Sequence, residues 1–141
     1  MPEPTDPAGK KVLIVDDDDS ARDLLYFIAK RQGFAVEVVA DGKAGLASIH
    51  QARPDLIILD LMLPGTGGFE ILRQLQGGEA ADVPIIVITG RNADRTLNDM
   101  IKGEPNVKDF MSKPLQAADL AASMHGILGT TPPASRKDVR G

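Results

Sequence analysis

The chain has 141 residues, 43% of them hydrophobic and 26% charged, which is enough apolar content to bury one core and too much for an unfolded polymer. It has no cysteine, which excludes disulfides and thiolate metal sites, and its net charge of −4, without a Lys/Arg cluster, argues against direct nucleic-acid binding. No apolar run reaches the length of a signal peptide or a membrane span, so a cytoplasmic protein with no membrane contact is expected.

Residues 1–9 carry three prolines and no apolar period, and are expected to be a disordered lead. Residues 11–15 are short, apolar and β-branched, which predicts a strand buried on both faces. Ser20 is the expected cap of a helix whose Leu24, Leu25 and Ile28 share a face and which stops at Gly33. A second strand is predicted over 34–40, followed by a helix capped by Asp41 and ending before Pro54. The third strand, 55–59, runs into Asp60. After the loop LMLPGTGG, a helix with Phe69, Leu72 and Leu75 extends to Gly77-Gly78. The fourth strand, 83–88, ends at Thr89, and a weaker helix is expected over 93–102. The fifth strand, 107–111, leads to Ser112-Lys113-Pro114, and a last helix uses Leu120, Met124, Ile127 and Leu128. Residues 130–141 have no core-forming pattern and are expected to be a disordered tail or linker stub.

Strand and helix alternate five times over residues 10–129, which predicts a single α/β domain: a parallel sheet with helices on both faces. In such sheets ligands bind outside the carboxyl ends of the strands, where strand order reverses. Strand one ends in Asp16 and Asp17, strand three in Asp60, strand four in Thr89 and strand five in Lys113. Three carboxylates, a hydroxyl and an ammonium are therefore expected at one edge. Clustered carboxylates without His or Cys suit Mg²⁺, which offsets their repulsion and commonly bridges to a phosphoryl group. Lysine and threonine can hold phosphoryl oxygens, and an aspartate in this setting can be a nucleophile that forms an acyl phosphate. Asp18 and Asp19 are expected to be solvated charges favouring a helix N-terminus. His50 and His125 are expected at the surface or as caps rather than as ligands.

The stretches VLIVDDDDSARDLL, PDLIILDLMLPGTGGFEILRQL, VPIIVITG and DFMSKPL resemble response-regulator receiver domains of two-component signalling, in the family's order over residues 10–129. The resemblance implies a flavodoxin-like (βα)5 fold with strand order 2-1-3-4-5. It implies that Asp60 is the phosphoacceptor for a phospho-histidine, carried by a sensor histidine kinase or a histidine phosphotransfer protein. Asp17, Asp60 and the backbone carbonyl of Met62 would hold Mg²⁺, with Asp16 reaching it through water. Lys113 would bind the phosphoryl group, Thr89 would move onto it, and Phe110 would be the switch aromatic. The Lys113-Pro114 bond falls where the family usually has a cis peptide. Such a domain is a signalling phosphoacceptor rather than an enzyme, catalysing only its own phosphorylation and dephosphorylation. A stand-alone receiver would pass its output to a downstream protein by contact. The sequence departs from the family at Gly90, often Ala, at Leu115, often Phe, and in KGEPNVKDF before strand five.

Two rival readings fit parts of the sequence. Asp16-x-Asp18-x-Ser20 fits the nucleophile pattern of haloacid-dehalogenase-like phosphatases, but the acidic pair needed after the lysine is lacking. A flavodoxin-like cofactor binder would place Gly, Ser or Thr after strand one, and four carboxylates there would repel a flavin phosphate.

Overall fold

The computed structural model describes residues 5–61, 68–76, 78, 81–90, 99 and 103–133. The elements are β1 (Lys11–Val15), α1 (Asp19–Arg31), β2 (Ala35–Val39), α2 (Gly42–Gln51), β3 (Leu56–Asp60), α3 (Gly68–Gln76), β4 (Ile85–Thr89), β5 (Val107–Ser112) and a final helix α4 (Ala117–Leu128). The helix expected over 93–102 lies almost wholly outside the described residues.

All four strand pairings are parallel, in the order β2-β1-β3-β4-β5. The three inner strands are apolar at nearly every position because each is covered on both faces. Alternate side chains divide them between two cores. Leu13, Ile57 and Ile85 pair in register and face α2 and α3, meeting Ile49, Leu72 and Leu75. Ile14, Ile58 and Ile86 face α1 and α4, meeting Leu25, Ile28, Leu120 and Met124. A one-residue slip would exchange the two faces of a strand, so the packing holds the register. That register fixes which residues reach the carboxyl edge.

Several expected boundaries move. Val83 and Pro84 precede β4; Pro84 has no N–H to give to a ladder, and its carbonyl instead accepts from Ile57 at 3.0 Å. Helix α1 is capped by Asp18, not Ser20: the Asp18 carboxylate accepts from the Ala21 amide at 2.9 Å, and Ser20 lies inside the helix. An aspartate two residues earlier takes the cap because a carboxylate also favours the positive end of the helix.

The lead and the tail contribute more than expected. Residues 7–9 form a short 3-10 helix with Pro7 buried, and the Thr131 amide donates to the Thr5 carbonyl at 2.8 Å. Gly33, at φ 95°, makes the turn after α1, and a Cβ there would stand 2.8 Å from Pro7 Cγ. Residues 5–9 and 130–133 therefore make contacts beyond the expected limits of 10 and 129. His125 also departs from the surface or cap role. It is buried, its Nδ1 is 2.6 Å from Thr130 Oγ1, its Nε2 is 2.9 Å from Gln32 Oε1, and its ring lies 5.0 Å from that of Phe34. Burial lowers its pKa. Gln32 lies 93 residues away in sequence, so no local pattern announces the contact. His50 is exposed, as expected.

Candidate functional site

The chain lays down β1, then β2 on one side of it and β3 on the other, so the strand order reverses at β1 and β3. At that point Asp16, immediately after β1, and Asp60, the last residue of β3, come together, both buried. Asp17 joins them from the exposed side. One carboxylate oxygen from each of the three lies within 4.8 Å of the other two. Lys113 follows β5 and is positioned by its backbone amide, which donates to the Thr89 carbonyl at 2.8 Å. Its Nζ lies 3.4 Å from Asp16 Oδ2 and 3.5 Å from Asp60 Oδ2. The peptide between Lys113 and Pro114 is cis.

Burial pushes the Asp16 carboxyl up to about 6, helped by the neighbouring Asp60 charge; the Asp18 amide and Lys113 oppose the shift. Burial alone would lower Lys113, but the charges of Asp60 and Asp16 outweigh it and hold the ammonium above its ordinary range. Asp16 Oδ1 accepts the Asp18 amide at 2.9 Å. Among the described residues Asp16 Oδ2, fully enclosed, receives no hydrogen bond, although the Lys113 ammonium lies 3.4 Å away. A buried carboxylate oxygen left this way is costly unless a cation occupies the space in front of it. Three hard oxygen donors, no nitrogen or sulfur donor, and one such oxygen fit a hydrated divalent cation of the Mg²⁺ type.

Thr89 ends β4, buried, and among the described residues its hydroxyl makes one long bond, 3.4 Å to the Gly90 carbonyl. Phe110 sits on β5 opposite Val87, half-buried against the α2–α3 core. Met62 lies outside the described residues. Asp19 is exposed, and Asp18 caps a helix rather than entering the cluster. The second acid of the phosphatase-like pattern is therefore engaged elsewhere. One contributor was not singled out from sequence. Arg22, on the first turn of α1, donates from Nη1 to the Asp16 carbonyl at 3.0 Å and pairs with Asp19 through Nη2. The Asp19–Arg22 spacing of three on a helix was its only visible signal.

Three carboxylates and a lysine thus meet where the strand order reverses. The chain belongs to the response regulator receiver domain family, whose family model matches residues 12–125. Nothing in these matches favours a haloacid-dehalogenase-like phosphatase. The sensory transduction protein RegX3 of Mycobacterium tuberculosis is 37% identical over 117 residues, covering 83% of this chain and 50% of RegX3. The DNA-binding response regulator MtrA of Mycolicibacterium smegmatis is 33% identical over 119 residues, covering 84% and 50%. The chain thus spans about half the length of these curated relatives. Among solved structures, NtrX from Brucella abortus superposes with a TM-score of 0.75 at 27% identity, covering 85% of this chain and 27% of NtrX. The receiver domain of sensor histidine kinase PA1611 from Pseudomonas aeruginosa, solved with a magnesium ion in its active-site cleft, gives 0.76 at 24% identity, covering 86% and 98%. That last likeness establishes the fold.

Proposed function

We propose that this domain accepts a phosphoryl group on Asp60 from the phospho-histidine of a sensor histidine kinase or histidine phosphotransfer protein, in a Mg²⁺-dependent step. The observation that carries the proposal is the meeting of Asp16, Asp17 and Asp60 beside Lys113 at the strand-order reversal. An Asp60 carboxylate oxygen attacks phosphorus, the phosphorus–nitrogen bond breaks, and its electron pair stays on the departing imidazole. The bound cation would neutralise charge on the phosphoryl oxygens. Asp17 and Asp60, with the Met62 carbonyl, are the residues assigned to hold it, and Asp16 assists through water. Lys113 stands where it can pair with a phosphoryl oxygen, and the weakly engaged Thr89 hydroxyl can turn to another. Water later attacks the acyl phosphate, releasing phosphate and restoring Asp60. The domain's chemistry is thereby confined to its own modification.

Output is assigned to contact with a downstream protein. The net charge of −4 and the lack of a basic stripe favour protein over nucleic acid as the immediate partner of this stretch. Among the described residues no helix is long and apolar enough to cross a membrane, and a cytoplasmic location is the natural setting for a kinase-fed phosphoacceptor. The test is labelling with acetyl phosphate and Mg²⁺. One hydroxylamine-labile phosphoryl group should appear on Asp60, and Asp60→Asn should block it. Label mapped to Asp16 would instead support a phosphatase-like nucleophile.

A further inference from the structure

Asp17 is the exposed member of the acidic cluster, and its side chain makes no hydrogen bond among the described residues. Both peptide groups that flank it are nevertheless pinned. The carbonyl of the Asp16–Asp17 peptide accepts from Arg22 Nη1 at 3.0 Å. The amide of the Asp17–Asp18 peptide donates to Asp16 Oδ1 at 2.9 Å. Two fixed peptide planes determine where the Cα–Cβ bond of the residue between them points. The second pin also commits Asp16 Oδ1, leaving Oδ2 for the interior of the cluster. Upstream, the Asp16 amide donates to the Val39 carbonyl at 3.2 Å, so the loop is tied to the sheet at one end and to α1 at the other. The Arg22 side chain is only 19% exposed, and its other arm is held by Asp19. A guanidinium can hold two acceptors at fixed angles; an ammonium in its place is a point charge without that fork.

We propose that Arg22 is a positioning residue for the cation-binding loop, orienting Asp17 and Asp16 through the Asp16 carbonyl without touching the cation or the phosphoryl group. The inference rests on the assignment of the acidic cluster as a Mg²⁺ site. Its test turns on a sign. If Arg22 were merely a cation near three carboxylates, removing it would make the potential at the cluster more negative, and Mg²⁺ would bind more tightly. If Arg22 orients the ligands, removing it loosens them, and Mg²⁺ binds more weakly, by about tenfold for a group that supports a ligand from behind.

The experiment is a Mg²⁺ titration followed through the backbone amide shifts of Asp17 and Asp18, on wild type, Arg22→Ala, Arg22→Lys and Asp17→Asn. Thermal unfolding without Mg²⁺ checks that each variant folds. Arg22→Ala should weaken Mg²⁺ about tenfold, and Arg22→Lys, which keeps the charge but lacks the fork, should also weaken it. At saturating Mg²⁺, acetyl phosphate labelling of both variants should return to within about twofold of wild type, because the reacting groups are untouched. Should Arg22→Ala fail to fold, the lysine variant decides. Unchanged or tighter binding in the folded Arg22 variants, with Asp17→Asn weakened, overturns the positioning role alone. No saturable Mg²⁺ response in wild type overturns the metal-site assignment and the positioning role together.

Discussion

Burial and a neighbouring carboxylate put Asp16 under electrostatic tension. It is wholly buried, and its carboxyl is raised to about 6 from an ordinary value of 3.8. The folded chain therefore binds that proton more tightly than the unfolded chain does. Without divalent cation, stability should fall as pH rises from about 4 to about 6, and the cost should be complete above that range. Asp16→Asn removes the charge and keeps an oxygen that can accept the Asp18 amide. It should stabilise the cation-free protein by about 1–3 kcal/mol at pH 7.5 and by almost nothing at pH 3.5. Thermal unfolding at the two pH values measures both. Mg²⁺ should then raise the melting temperature of wild type more than that of the variant, since a ligand stabilises only the state that binds it. Equal melting temperatures at pH 7.5 would mean that Asp16 is not strained by its charge.

At the scale of elements, helix α1 and its cap tie the acidic loop to the core. Asp18→Ala removes the carboxylate that accepts the Ala21 amide and should cost about 1 kcal/mol. Ser20→Ala, at an exposed position inside the helix, should cost less than half that in urea unfolding. The reverse ranking would return the cap to Ser20. Four adjacent polar residues, Asp17 to Ser20, can each cap in principle, so sequence could place the helix start only within a turn. The strands were more legible, because five apolar runs separated by helical spacing allow few arrangements and parallel pairing follows from them. Asp16, Asp60, Thr89 and Lys113 could be grouped for the same reason: each lies at a strand end, and strand ends meet at one edge. Arg22 and His125 could not be read this way. Arg22 acts through a backbone carbonyl, which leaves no residue-type signal, and the partners of His125 come from the turn after α1 and the segment after α4. Pro7 was hidden likewise, since a proline-rich lead looks the same whether or not a glycine turn receives it.

For the whole molecule, the question is how a charge at one sheet edge reaches a surface a partner can read. Phosphorylation would add about two negative charges beside Lys113 and Thr89. The Thr89 hydroxyl has little to lose by leaving the Gly90 carbonyl at 3.4 Å, and its departure would free space beneath β4. Phe110, half-buried on β5 opposite Val87, would be the aromatic to enter that space. Its own amide donates to Asp109 Oδ1 at 2.8 Å, while Asp109 Oδ2 accepts from Ser123 on α4 at 2.5 Å. A rearrangement at Phe110 therefore pulls on a carboxylate that also holds the last helix. A few kcal/mol of differential contact suffices to shift such an equilibrium. Amide shifts recorded on phosphorylation should accordingly reach Phe110 and Ser123 as well as the loops around Asp17, Asp60 and Lys113. Thr89→Ala should still accept phosphate at Asp60, yet the changes at Phe110 and Ser123 should shrink to a small fraction of those in wild type. Shifts confined to the site loops in wild type would show that no signal crosses β4 and β5, and would favour a domain that only relays phosphate.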